Sequence, residues 1–406
     1  MKIINKYILP IIILVFIYLY LTISMSGVAI TSLGIEEEGG KSTNSIIGIA
    51  FFSFIFLFMS KRSYIIASEK CILEKSIRNL LVYIFVISVI YSFSIPFQTR
   101  NLYIVLALPM ILYTVVKRYT LKYEEKQYLV TGFLVLFLFI LYNYYQNYTI
   151  VHLVGSRTSA NNASFFVLYL LPFVLCIQNN KLRFFFEALI IVAVTVSFKR
   201  GGVITLILGL LSFYYFKNIA TNDSSKKLKY ILIIIIVILI GLIIFTNINN
   251  DILSHLFDRF ANIRSDGGSG RQESFTSTIQ MIQDSGVISL LIGHGWNMVE
   301  YNSPMGISAH NDFLECLYDF GILGLLLYIK LYYSIYKKCL VYQANKSVFF
   351  APLATSGVIL FSGSLFSHII IYPFYLLLFV IFWSYVLSKE KIQLHEDRNF
   401  NLPLGF

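Results

Sequence analysis

Twelve apolar stretches, each near the length that crosses a lipid bilayer, follow one another along this chain and constrain it more than any other feature. A spanning helix needs about 20 mostly apolar residues, because inside the hydrocarbon layer only a helix or a closed barrel satisfies its own backbone. The stretches lie at 7–30, 44–60, 79–96, 101–116, 128–146, 162–179, 184–199, 201–216, 230–247, 312–336, 347–366 and 369–387. Composition agrees: 57% of the residues are hydrophobic and 13% charged, with a mean hydropathy of +0.73. Soluble domains carry about 25% charged residues, so a soluble enzyme is excluded, and a disordered chain is excluded by the excess of apolar surface. The expected fold class is an all-α polytopic membrane protein of about 12 transmembrane helices. Lys2 and Lys6 ahead of the first stretch imitate a signal peptide, but with eleven further spans behind it the expectation is an uncleaved first helix.

The net charge of +11 follows from topology and does not call for a nucleic-acid partner. With the N-terminus inside, the inner loops hold 24 of the 32 basic residues. The outer face keeps eight: Lys41, Arg100, Arg157, Lys199, Arg200, Arg259, Arg264 and Arg271. That bias supports both the orientation and the even number of spans. Nineteen of the inner 24 are Lys, whereas six of the outer eight are Arg. Arginine grips phosphate or carboxylate with a planar fork and lysine does not, so the outer arginines point to an anionic ligand. The four cysteines, Cys71, Cys176, Cys316 and Cys339, show neither a C-x-x-C pair nor metal spacing.

The chain therefore divides into helices 1–9 over 1–246, an extracytoplasmic loop over 247–310 between helices 9 and 10, helices 10–12 over 311–387, and a cytoplasmic tail over 388–406. The loop is too small for an independent core and too long for a mere connection, so it is expected to cap a membrane cavity. Within it, 265–270 is a Gly-Ser hinge. Arg271 to Asp284 reads as an amphipathic helix with Phe275, Ile279 and Ile282 on one side. Gly293-His294-Gly295-Trp296 reads as a tight turn.

Candidate chemistry collects at the outer boundary. His310 and Asn311 precede the tenth span, and Asp312, Glu315 and Asp319 share one face of it at i, i+3 and i+7. Ionisable groups in a span are costly and point to a functional cavity, although Asn311 and Asp312 also suit a helix cap. The other spans contain almost no buried charge, which argues against an ion-coupled transporter. Ser197-Phe198-Lys199-Arg200-Gly201-Gly202 resembles an anion cradle at a helix start. Arg157, with Asn161 and Asn162, offers a second fork with amide donors, and Arg271 a third. Gly321 and Gly324 suit close helix packing. The sequence contains no D-x-D, P-loop or G-x-G-x-x-G, so nucleotide use is not expected, and no metal or other cofactor is implied.

His310-Asn311, nine residues, then Gly321-x-x-Gly324 resembles the motif of the O-antigen ligase and polysaccharide polymerase superfamily. Ser197 to Gly202 is similar to its Ser-x-x-Arg-Gly-Gly-like turn, Arg271 to its loop arginine, and Leu291 to Gly295 to its small-residue turn. Asp319 stands where an acid commonly precedes the glycine, and Leu325 departs from the Thr or Val that ligases often carry. The resemblance implies an inverting, metal-independent membrane glycosyltransferase in the bacterial cytoplasmic membrane. Its donor would be an undecaprenyl-diphosphate-linked oligosaccharide, and its partners membrane lipid, a flippase and a chain-length regulator. On that reading His310, Arg200 and Arg271 are catalytic, and Arg157, Asn162, Asn311, Asp319 and Glu315 bind substrate. The expected reaction is repeat-unit polymerisation, with transfer to lipid A-core as the alternative and a glycolipid flippase as the reading from another class.

Overall fold

The computed structural model describes residues 72–92, 158–196, 199–221, 271–371, 375–383 and 385–387. The stretches expected to span at 7–30, 44–60, 101–116, 128–146 and 230–247 lie outside the described residues. Among the described residues the regular structure is all helix, and no strand occurs.

Numbered over the described residues, α1 is Ile72–Ser92, α2 Thr158–Tyr169, α3 Leu171–Leu175, α4 Asn180–Val196 and α5 Arg200–Thr221. The loop supplies α6 Arg271–Gln283, α7 Val287–Ile292 and α8 Met298–Asn302, and the chain continues as α9 Asp312–Ala344 and α10 Phe350–Phe366. A last helical stretch covers 375–383 and 385–387. Over 162–179 the expected single span is two helices, α2 and α3, with Pro172 in the first turn of α3, where its missing N–H costs nothing. One described helix, Arg200–Ala220, is long and apolar enough to cross a membrane, and Ser164–Leu175, Phe350–Phe366 and Tyr375–Leu387 are shorter apolar helices.

Helix α5 packs most extensively against α10, and α9 lies between α1 and α10. Close approach of α5 and α10 depends on missing side chains: a Cβ on Gly209 would stand 2.9 Å from Ile359, and one on Gly201 2.9 Å from Phe366. The core is heavily aromatic. Tyr169 and Tyr375 meet edge to face at 5.1 Å, and Tyr169 and Phe379 lie 5.2 Å apart. Trp383, fully buried, donates from Nε1 to Ser356 Oγ at 3.0 Å, so its one polar atom is satisfied.

The spans are not as free of charge as the sequence reading held. Glu187 of α4 is buried, 3.3 Å from Arg183 Nε, and its other oxygen accepts from Tyr214 Oη at 2.9 Å. A buried carboxylate is tolerable when a cation and a hydroxyl share its charge, and these partners come from the preceding turn and the neighbouring helix.

Helix α9 contains the break that shapes the site. Gly321 adopts φ +66°, ψ −173°, so α9 is two helices meeting at a kink. Such a break frees carbonyls that an unbroken helix would bond internally. The turn after α7 supplies the donors: His294 N reaches the Tyr318 and Asp319 carbonyls, both at 3.1 Å, and Gly295 N reaches the Asp319 carbonyl at 2.8 Å. Tyr83 of α1 clamps the junction by donating to the carbonyls of Ile292 at 3.2 Å and Phe320 at 3.1 Å. The expected turn at 293–296 is present. Gly321 does more than the expected close packing: it breaks the helix and receives that turn.

Candidate active site

The site is built from four chain segments that meet at the start of α9. Asn311 is the N-cap of α9, its side-chain oxygen accepting from Phe313 N at 3.0 Å and Leu314 N at 3.2 Å. The expected substrate-binding Asn311 therefore has its carboxamide oxygen engaged in starting the helix. His310, one residue earlier, has φ +52°. A left-handed histidine costs of order 1–3 kcal/mol, and such strain concentrates at functional positions.

The imidazole of His310 stacks on that of His368, with ring centroids 4.8 Å apart and planes at 26°. Their Nδ1 atoms lie 2.9 Å apart, and His368 Nδ1 is also 3.0 Å from Ser308 Oγ. Ser308 is tied to α6 in turn, since its carbonyl accepts from Ser274 Oγ at 2.8 Å. That bond fixes α6, and with it Arg271 at its first position, against the 308–310 segment.

Helix α6 is rotated from the expected face, keeping Ile282 inward but turning Ile279 outward. Ser274 and Thr278 are buried while Ile279 is 44% exposed. Both hydroxyls are satisfied, Thr278 Oγ1 donating to the Ser274 carbonyl at 2.8 Å and Ser274 Oγ to the Ser308 carbonyl, so a polar face can be buried without orphaned groups. Met281 and Ile282 complete that face against Met298, Val299 and Tyr318.

Two of the three expected arginines converge. Arg271 Nη2 reaches to within 3.6 Å of where a Gly201 Cβ would stand, beside Arg200 at the start of α5. Burial and then the Arg200 charge hold the Arg271 pKa below its ordinary value. His310 is pushed down to about 4 by burial first, then by Arg271 and Lys199. His368 is lowered well below the usual histidine range by burial, with His310, Lys199 and Arg271 adding to it. Both rings are thus neutral near pH 7, beside a concentration of positive charge that an anion would relieve. Arg157 lies outside the described residues, as do Ser197 and Phe198; Asn162 lies in α2.

The three carboxylates of α9 are fully buried and hold backbone. Asp312 accepts from Ile370 N at 3.0 Å and from Tyr328 Oη at 2.9 Å. Glu315 accepts from Ala309 N at 2.6 Å, next to His310, and Asp319 from Val299 N at 2.9 Å. Each pins a different segment to α9: the 367–371 connection, the 308–310 segment and the start of α8. Glu315 and Asp319, expected to bind substrate, stand beneath the site and fix the loops that form it. Among the described residues no group of three or more His, Cys, Asp or Glu is placed to hold a metal ion.

His368 was not singled out in the sequence. A signal existed, since the charge-based topology puts the short connection between spans eleven and twelve on the same side as His310, and His368 lies in it.

Among the described residues, cations lie beside a neutral histidine, an arrangement suited to holding an anionic group. Residues 185–329 match the model of the O-antigen ligase family, which bears out the resemblance read from His310, Asn311, Gly321 and Gly324. Proteins of that family are integral membrane proteins, glycosyltransferase-like enzymes of polysaccharide biosynthesis. Arg200, Arg271 and His310 fall within the matched residues; Arg157, Asn162 and His368 fall outside them. No curated protein matches the chain.

Proposed function

We propose that this protein polymerises polysaccharide repeat units, transferring an undecaprenyl-diphosphate-linked glycan to a hydroxyl of another lipid-linked unit at the outer side of the bacterial cytoplasmic membrane. The observation that carries the reading is the placing of Arg271 and Lys199 beside the neutral ring of His310, with Arg200 next to Arg271. The bond from the anomeric carbon to the diphosphate oxygen breaks as the acceptor oxygen attacks from the opposite face. The electron pair leaves with undecaprenyl diphosphate, whose charge Arg200 and Arg271 stabilise, and the hydroxyl proton passes to His310. Arg157, Asn162, Asn311, Glu315 and Asp319 complete the binding region in this reading, Glu315 and Asp319 through the loops they anchor. The partners are the lipid-linked oligosaccharide, membrane lipid, a flippase and a chain-length regulator.

The matched family is described as O-antigen ligase, and this favours a second reading, transfer of the glycan to lipid A-core. One experiment separates the two. Purified protein is reconstituted with lipid-linked repeat units alone, then with lipid A-core added. Ladders of repeats in the first reaction support polymerisation. Products only after lipid A-core is added support ligation, and no product in either overturns both.

A further inference from the structure

We propose that His368 is a positioning residue for the transfer, its Nδ1 accepting the hydrogen of His310 Nδ1 so that His310 presents a bare Nε2 to the acceptor hydroxyl. The inference rests on the base role given to His310 above and names the partner that makes that role possible.

A neutral imidazole carries one hydrogen, on one nitrogen or the other, and only the bare nitrogen can take a proton. The two Nδ1 atoms, 2.9 Å apart, share one hydrogen, because two N–H groups or two lone pairs facing each other would repel. If the hydrogen sits on His368, then His310 Nδ1 is the acceptor and its hydrogen is on Nε2, which cannot act as a base. If it sits on His310, Nε2 is bare. The base role given to His310 requires the second arrangement, and Ser308 Oγ, 3.0 Å from His368 Nδ1, is compatible with it, since a hydroxyl donates or accepts as the facing nitrogen requires. The stacked rings fix the orientation of both imidazoles.

The pair also serves the charged state. When Nε2 takes the acceptor proton, His310 becomes an imidazolium and its Nδ1–H bond to His368 becomes charge-assisted. The groups facing the pair, Arg271 and Lys199, are cations, and both oppose that charge. His368 is thus the neutral acceptor that offsets them, in the place an aspartate takes in a Ser-His-Asp triad. It remains neutral because burial and the same cations oppose its own protonation. The nearby carboxylates do not take this role, as Asp312 and Glu315 are engaged with Ile370 N and Ala309 N.

The test has an arm independent of activity. Histidine-selective nitrogen-15 NMR of the full-length protein in nanodiscs, with His310 assigned from the His310→Gln spectrum, reports the tautomer directly. The expected result is a hydrogen on Nδ1 of His310 in the parent and a mixture in His368→Phe; a hydrogen on Nε2 in the parent overturns the proposal. In the transfer assay, His368→Phe should lower kcat about 10- to 100-fold with KM unchanged. His368→Asn should restore most of the loss, because its Oδ1 takes the place of Nδ1. His368→Asp should move the acid limb of the rate profile to higher pH, since a carboxylate favours the imidazolium. Normal turnover in the Phe variant, or an Asn variant as slow as Phe, overturns the positioning role. Normal turnover in His310→Ala defeats instead the base role of His310, and the tautomer measurement then stands by itself.

Discussion

Gly293 fills the space that a side chain on Gly321 would need, and the backbone just before Gly321 fills the space of a side chain on Gly293. A Cβ on Gly321 would stand 2.6 Å from the Gly293 nitrogen, and one on Gly293 would stand 2.5 Å from the Phe320 Cα. Both have positive φ, +92° and +66°. The turn that closes the loop and the break that opens α9 are therefore one structural unit. Its stability sets the position of the loop above the helix and hence of the residues around His310.

Gly293→Ala and Gly321→Ala should each cost at least about 1–3 kcal/mol, from a strained backbone and a clash with backbone atoms that cannot rotate away. Thermal unfolding of the detergent-solubilised protein should show a lowered midpoint for both. Gly286→Ala, with open space around the added carbon, should leave the midpoint unchanged. Equal behaviour of all three would show that the turn and the kink are not docked.

The buried acids are expected to separate by hydrogen-bond capacity and not by charge. Glu315→Gln keeps an oxygen for Ala309 N and should retain most activity. Glu315→Ala leaves that buried N–H without an acceptor, at a cost of about 1–3 kcal/mol, and should lower both stability and turnover. A Gln variant as inactive as Ala would make the negative charge itself the requirement.

For Arg200 and Arg271 the fork matters more than the charge. Arg→Lys at either position should slow transfer about 10- to 100-fold, because one or two charge-assisted bonds to the diphosphate are lost while the cation remains. Membrane levels of the protein should be normal. Full activity of both Lys variants would leave only general electrostatics.

The pH profile follows from the neutral state of His310. Burial and the neighbouring cations disfavour its protonated form, so the ring is a competent base down to about pH 4, its shifted value. Below that it is protonated, and kcat/KM should fall as pH drops through about 4, with no inflection near 6.5. Lys199→Met removes one of the opposing cations and should move the limb to higher pH. The kcat limb should lie above the kcat/KM limb, because a bound diphosphate favours imidazolium. An acid limb near 6.5 in the parent enzyme would mean an exposed histidine.

Orientation is testable without activity. Alkaline phosphatase fused after Ser269 should be active and the same fusion after Lys227 inactive, as the distribution of basic residues requires. The opposite pattern would put the His310 end of the bundle in the cytoplasm, away from the proposed substrate.

What the sequence by itself determined is whatever is local or periodic. Apolar runs located α4, α5, α9 and α10 to within a few residues at most ends, because burial of an apolar helix needs only its own composition. Arg200, Arg271 and His310 stood out as candidates because cations and a titratable ring at the outer ends of apolar runs are visible in the sequence. What the tertiary structure decided depends on which loops meet. The helical face of Asp312, Glu315 and Asp319 was correct, yet whether such acids face substrate or hold backbone depends on amides at Ile370, Ala309 and Val299, distant in the chain or on a returning loop. The inward face of α6 carries two hydroxyls beside Met281 and Ile282 because Ser274 finds the Ser308 carbonyl, a partner that periodicity does not count. His368 owes its place to the packing of α10 against α5 and α9, which brings a residue 58 positions away onto the ring of His310. Pairing across such a separation leaves no local pattern, since its cause is the meeting of two chain ends and not the character of either.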